Sequence, residues 1–98
     1  VLIDRFTISA GERAVMAFDV LPNVLLVGEI TNGGQGTQIG RELANGWFYT
    51  LVTQKVELAN GQSYEGIGLA PDVEMKNTQE EINAGVDRVL QYAIEELK

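Results

Sequence analysis

The sequence predicts a single α/β domain, and three observations carry that reading. Two short apolar runs, Val1-Leu2-Ile3 and Val24-Leu25-Leu26-Val27, flank an apolar helical pattern that ends near Leu21. The second run does not alternate, which suits a strand buried on both faces, as in a parallel sheet. Two Asn-Gly pairs, Asn45-Gly46 and Asn60-Gly61, add hairpin signals downstream. Strand, helix and strand in this length make a βαβ unit.

Taken in order, residues 1–3 read as the first strand and residues 4–8 as a turn. A helix from Ala10 to about Leu21 carries Ala14, Val15, Ala17, Phe18 and Leu21 at helical spacing. Met16 and Val20 widen the stripe, so much of this helix is expected to be covered. Pro22-Asn23 ends it, because proline cannot continue the backbone hydrogen bonding. Residues 24–27 form the second strand. Residues 31–40 read as a glycine-rich loop with Gly33, Gly34, Gly36 and Gly40. The loop lacks the Gly-Lys-Ser/Thr of a phosphate loop, and no helical pattern follows it as a dinucleotide fingerprint requires. It is either a flexible surface loop or a loop that shapes a site.

Residues 41–43 and 47–52 read as one hairpin around Asn45-Gly46. Residues 54–58 and 62–65 read as a second around Asn60-Gly61. Trp47, Phe48 and Tyr49 are expected as core or sheet-face aromatics rather than a base-stacking platform. Residues 66–72 turn the chain, and residues 73–75 add a short strand. Thr78 opens the last helix with a capping box to Glu81. Its apolar stripe is Ile82, Val86, Val89, Leu90, Ala93, Ile94 and Leu97.

The chain has 98 residues, which suits one domain spanning residues 1–98 with no internal boundary. Its formal charge of −7 argues against nucleic acid or an anionic membrane surface as the main partner. There is no histidine, so chemistry needing imidazole cannot be completed within these residues. There is no cysteine, which excludes disulfides, thiol catalysis and zinc–thiolate sites. No membrane-spanning segment is present, and neither a metal nor a cofactor is expected. The chain opens inside what reads as a buried strand, so it is expected to be a piece of a larger domain. Exposed strand edges left in such a piece favour self-association.

Thr7-Ile8-Ser9-Ala10-Gly11-Glu12 is the stretch with chemical content. Ser9 lies at a strand-to-helix turn, at the carboxyl end of the first strand, where open α/β sheets place their ligand sites. One reading is a helix cap. Ser9 and Glu12 fit the capping box, in which the hydroxyl accepts from the third helical N–H and the carboxylate reaches back. The other is a nucleophile whose oxyanion is held by N–H groups at the helix start.

Four stretches, in this order and spacing, resemble the carboxyl-terminal processing peptidases, serine peptidases of the S41 family. They are Thr7-Ile8-Ser9-Ala10-Gly11-Glu12, Val27-Gly28-Glu29-Ile30-Thr31-Asn32-Gly33-Gly34, Leu43-Ala44-Asn45-Gly46-Trp47 and Ser63-Tyr64-Glu65-Gly66-Ile67-Gly68-Leu69-Ala70-Pro71-Asp72. The resemblance implies the carboxyl-terminal portion of a ClpP/crotonase-like α/β core, with a βαβ unit, hairpins and a closing helix. It implies endopeptidase activity on extended polypeptides through an acyl-enzyme. Ser9 would be the nucleophile, the Ala10 N–H an oxyanion donor, and Gly33 and Gly34 part of the substrate loop. It also favours a periplasmic or extracytoplasmic location.

The family's best-known branch carries a general-base lysine where this chain has Gly34. None of Lys55, Lys76 or Lys98 is at a matching place. The chain is closer to the branch that includes the tricorn core protease, which pairs serine with an upstream histidine and a downstream glutamate. Glu65 is the match to that glutamate, on the base side of the site. The base itself would then come from upstream residues, and these 98 residues alone would be inactive. The resemblance also includes retinoid-binding repeats, so a non-catalytic binding module on the same fold is the alternative.

Overall fold

A computed structural model describes residues 1–98. The elements are β1 (Leu2–Ile3), α1 (Ala10–Asp19), β2 (Val27–Gly28), β3 (Gln38–Glu42), β4 (Phe48–Val52), β5 (Val73–Glu74), α2 (Gln79–Asn83) and α3 (Arg88–Glu96). The chain thus has the expected α/β composition and the expected β1–α1–β2 unit. β1, β2 and β5 form a parallel sheet in that order, with Leu2 opposite Val27 and Val27 opposite Val73.

The parallel sheet is short. β2 covers Val27–Gly28, so most of the apolar run at residues 24–27 leads into the strand without pairing as strand. Asp72 locks β5 onto this lead-in. Its Oδ2 accepts from the Leu26 N–H at 2.7 Å, and its own N–H donates to the Leu26 carbonyl at 2.9 Å.

The core lies between the sheet, α1 and the segment before β5. Ile3, Val15, Leu26, Tyr64 and Leu69 form it, with Met16, Val24, Val56 and Leu58 packed at its margin. Residues 56–69 therefore cover the inner face of α1, and α3 packs over β1 and β2. The end of α1 and the residues after it are less covered than the apolar stripe predicts. Phe18, Val20 and Leu21 are exposed. The helix also ends at Asp19, three residues before the proline, with Val20 as its C-cap.

The first hairpin forms, but β3 begins at Gln38, inside the stretch read as loop. Five residue pairs join it to β4, from Gln38 opposite Val52 to Glu42 opposite Phe48. The turn closes at Leu43 and Trp47, whose backbone groups meet at 2.7 Å. Trp47, Phe48 and Tyr49 lie on or beside this ribbon and are exposed, Trp47 by 72%; they belong to a sheet face and not to the core. The ribbon lengthens the molecule. Its radius of gyration is 17.0 Å, against about 13 Å for a compact chain of this length.

Two expectations fail. The second hairpin has its turn but no strands. The Gly61 N–H donates to Leu58 and the Leu58 N–H to Gln62, both at 2.9 Å, yet residues 54–65 pair no further. This segment instead turns its apolar residues onto α1. The closing helix is two helices. Gly85, at φ 70°, stops α2, and the Asp87 side chain starts α3 by accepting from the Leu90 N–H at 3.0 Å. The Thr78 capping box on α2 is complete: Glu81 N–H to Thr78 Oγ1 at 3.2 Å, and Thr78 N–H to Glu81 Oε2 at 2.7 Å.

Candidate active site

Ser9 sits at the corner between β1 and α1. The approach is rigid, because Asp4 Oδ1 accepts from the N–H groups of Phe6 and Thr7, both at 2.9 Å, and from the Thr7 hydroxyl at 3.0 Å. Ser9 then takes φ 56° and ψ −112°, and is the one residue other than glycine with positive φ. These are the angles of the first corner of a type II′ turn, a place dominated by glycine, asparagine and aspartate. The turn is closed by the Gly11 N–H donating to the Ile8 carbonyl at 3.0 Å. Such a conformation costs about 1–3 kcal/mol in a residue with a Cβ and persists only where its surroundings hold it.

Two acceptors hold it here. The Ser9 N–H points at both the Gly34 carbonyl, 3.0 Å away, and Glu12 Oε2, 3.1 Å away. The hydroxyl makes no cap hydrogen bond, although the sequence matches a capping box, and the residue is exposed. Both arms of the box are in place, the hydroxyl beside the Glu12 N–H and the carboxylate beside the Ser9 N–H, but only the carboxylate arm closes to a hydrogen bond. Ala10 is the first helical residue, so its N–H has no partner within the helix, and it donates to no other backbone group. A free hydroxyl thus stands beside a free N–H at a helix start, whose dipole favours developing negative charge.

The glycine loop comes to the same corner. Glu12, wholly buried, accepts at Oε1 from the Thr31 hydroxyl and the Gly33 N–H, both at 2.6 Å. Thr31 passes the connection on: its hydroxyl accepts from the Leu69 N–H at 2.7 Å, and its own N–H donates to the Leu69 carbonyl at 3.0 Å. The loops approach backbone to backbone. A Cβ on Gly33 would lie 2.7 Å from the Gly68 nitrogen, and one on Gly68 would lie 2.2 Å from the Thr31 carbonyl oxygen.

Glu65 joins from the second of these loops. Its Oε2 accepts from the Gln35 N–H at 3.2 Å, while the Gly66 N–H donates to the Gly33 carbonyl at 2.8 Å. Ser9 and Glu65 thus attach to consecutive loop residues, Gly34 and Gln35, with no direct hydrogen bond between them. Gly33 itself faces inward. Its N–H serves Glu12 and its carbonyl serves Gly66, which leaves Gly34 nearer the open side. Beneath them Tyr64 is buried, its hydroxyl 3.0 Å from the Met16 sulfur. Burial pushes the Tyr64 phenol above its usual range; the Glu12 and Glu65 charges add to that, and Arg13 opposes it.

Ser9, Ala10, Gly33, Gly34 and Glu65, the residues the resemblance marks, lie on this corner and the two loops that meet it, and so do Thr31 and Gln35, which no sequence signal singles out. Gln35 is 4% exposed, and neither atom of its side-chain amide has a partner in the chain. No local signal marks either role, since both depend on residues far along the chain. Two of the three lysines are paired with glutamates: Lys76 with Glu29 at 3.0 Å and Lys55 with Glu57. No three His, Cys, Asp or Glu side chains come together in a way that could hold a metal ion. A cleft of about 360 Å³ opens elsewhere on the carboxyl edge of the sheet, and neither Ser9 nor Glu65 lines it. No helix is long and apolar enough to cross a membrane.

Residues 1–75 match the model of Peptidase family S41. Among solved structures, the chain is similar to a candidate peptidase from Parabacteroides merdae ATCC 43184, with 35% identity and a TM-score of 0.89 over 99% of this chain and 30% of that one. It is similar to the tricorn protease, with 28% identity and a TM-score of 0.79 over 98% of this chain and 10% of that one. It is also similar to the photosystem II D1 C-terminal processing protease, with 29% identity and a TM-score of 0.61 over 78% and 20%. The chain thus spans less than a third of each of these relatives. No curated protein sequence matches it.

Proposed function

The chain belongs to peptidase family S41, and on that premise we propose that it is the nucleophile-bearing, carboxyl-terminal portion of a serine peptidase catalytic domain. The observation that carries the reading is the Ser9 corner: a strained turn, a hydroxyl with no cap bond, and an adjacent unpaired N–H. Ser9 Oγ attacks the scissile carbonyl and gives its proton to a base. The Ala10 N–H receives the oxyanion, the amine leaves with a proton from the base, and water hydrolyses the ester.

The base comes from residues beyond these 98, for the chain has no imidazole and two of its three lysines are paired with glutamates. Glu65 orients or polarises that base from the Gln35 side of the corner. Gly34 borders the path of an extended polypeptide substrate. The small core and broad exposed apolar surface support a chain that packs against further parts of a larger domain. Copies of the chain alone associate through that surface.

The lack of a base at Ser9 is also what favours the second reading, a binding module on the same fold. Peptide hydrolysis by the full-length protein separates the two. The catalytic reading expects turnover that Ser9→Ala abolishes, and none from the 98 residues alone. Turnover that survives Ser9→Ala contradicts it.

A further inference from the structure

The pattern Ser/Thr-x-x-Glu opens two helices in this chain, and it folds differently at each. At Thr78, φ is −74°, the hydroxyl caps the helix, and the Glu81 carboxylate is partly exposed and pairs with Arg88 at 3.3 Å. At Ser9, φ is 56°, the hydroxyl lies in the box but makes no cap hydrogen bond, and the carboxylate is wholly buried with no ion-pair partner. A buried carboxylate is costly unless donors surround it. Those of Glu12 are three donors on two segments: the Ser9 N–H at the corner, and the Thr31 hydroxyl and Gly33 N–H of the glycine loop.

We propose that Glu12 is a positioning residue for the Ser9 nucleophile: by capping α1 from within, it frees the serine hydroxyl and fixes it against the glycine loop. The inference rests on the reading of Ser9 as the nucleophile. One oxygen of Glu12 holds the Ser9 backbone in its left-handed conformation. The other holds Gly33, whose neighbour Gly34 accepts from the same Ser9 N–H. Through Thr31 and Leu69 the same carboxylate sets the register of the loop that carries Glu65. Glu12 touches no reacting atom. Its part is to make the corner, the glycine loop and the Glu65 loop one rigid unit, so that the hydroxyl and the Ala10 N–H keep a fixed geometry.

Both oxygens must accept, and that makes the role testable. Glutamine has the same shape but one acceptor and one donor. Placed at residue 12, its NH2 group faces either the Ser9 N–H or the Gly33 N–H. The test uses the full-length protein, with rates of fluorophosphonate labelling at Ser9 and kcat and KM for a peptide substrate. Glu12→Gln is expected to slow labelling and lower kcat by about 10- to 100-fold, the scale of a misplaced reacting group, with KM nearly unchanged. Glu81→Gln removes the matching carboxylate on α2 and is expected to change neither. Where Glu12→Gln does not fold, the Thr31 pair decides. Thr31→Val slows labelling, and Thr31→Ser, which keeps the hydroxyl, restores it. A folded Glu12→Gln, or Thr31→Val, that labels at the unsubstituted rate overturns the positioning role and leaves the nucleophile reading intact. An unsubstituted protein that never labels at Ser9 overturns both.

Discussion

The Ser9 N–H donates to the Gly34 carbonyl across 3.0 Å, joining the turn before α1 to the glycine loop after β2. The residues are 25 apart in sequence and lie on the segments that follow β1 and β2. That bond, with the second acceptor at Glu12, is why a serine can occupy a left-handed corner.

The corner predicts an unusual response to substitution at Ser9. An ordinary N-cap loses about 1 kcal/mol on change to alanine. Ser9 makes no cap bond, so Ser9→Ala is expected to alter stability by less than about 0.5 kcal/mol. Thr78→Ala, at a complete box, is expected to lose about 1 kcal/mol. Ser9→Gly is expected to gain about 1 kcal/mol, strain relief exceeding the added freedom of the unfolded chain. Denaturant melts of the full-length protein check all three. A loss of about 1 kcal/mol in Ser9→Ala would restore the simple cap.

Gln35 predicts a gain from removing polarity. Its amide is buried with neither atom partnered in the chain. Unmet buried polar groups cost about 1–3 kcal/mol each. Gln35→Met keeps the size and drops the amide, so it is expected to raise stability by about 1 kcal/mol or more. A loss of stability in the same melts would count against an unpartnered amide.

The contact of the two loops predicts that Gly68 tolerates no side chain. It sits at φ 92°, and a Cβ there would strike the Thr31 carbonyl oxygen. Gly68→Ala is expected to cost about 2–4 kcal/mol, through backbone strain and loss of the Thr31–Leu69 bonds. A melt within about 0.5 kcal/mol of the unsubstituted protein would show that the loops can part without penalty.

The helical hairpin predicts sensitivity to acid. Hydrogen bonds from Thr78 hold the Glu81 carboxyl below its usual range. The Asn77 amide, then the Leu90 N–H, does the same for Asp87. A carboxyl lowered in the folded state contributes stability that is present above its unfolded pKa and lost as pH falls through its folded value. The ends of α2 and α3 are therefore expected to loosen below about pH 4 and to be unaffected between about pH 6 and 8. Amide exchange at Glu81 and Leu90 reads this directly. Tyr64 works in the opposite sense: its raised phenol favours the folded state until pH climbs past about 10, where that contribution is lost.

Features set by local rules were legible in the sequence. The β1–α1–β2 unit, the turn at Asn45-Gly46, the strand at Val73 and the box at Thr78 each follow from a few adjacent residues. The break at Gly85 was not read, although a glycine followed by Asp87 marks a helix stop and a helix start, because the apolar stripe continues across it. The strands missing from residues 54–65 were not legible. Alternation there serves packing onto α1, and pattern alone cannot say which neighbour an apolar residue will meet. At the site, the resemblance marks Ser9 and Glu65, while the local pattern makes Glu12 a plain capping partner. Its decisive contacts are 19 and 21 residues away, at Thr31 and Gly33, and no window of sequence contains them.

The central claim is that Ser9 is a nucleophile held in readiness, and one measurement tests it most directly. The full-length protein is treated with a fluorophosphonate, and the adduct is mapped by mass spectrometry beside a Ser9→Ala control. The account predicts a single adduct, on Ser9, absent from the control. A folded, accessible protein that carries no adduct on Ser9 contradicts it.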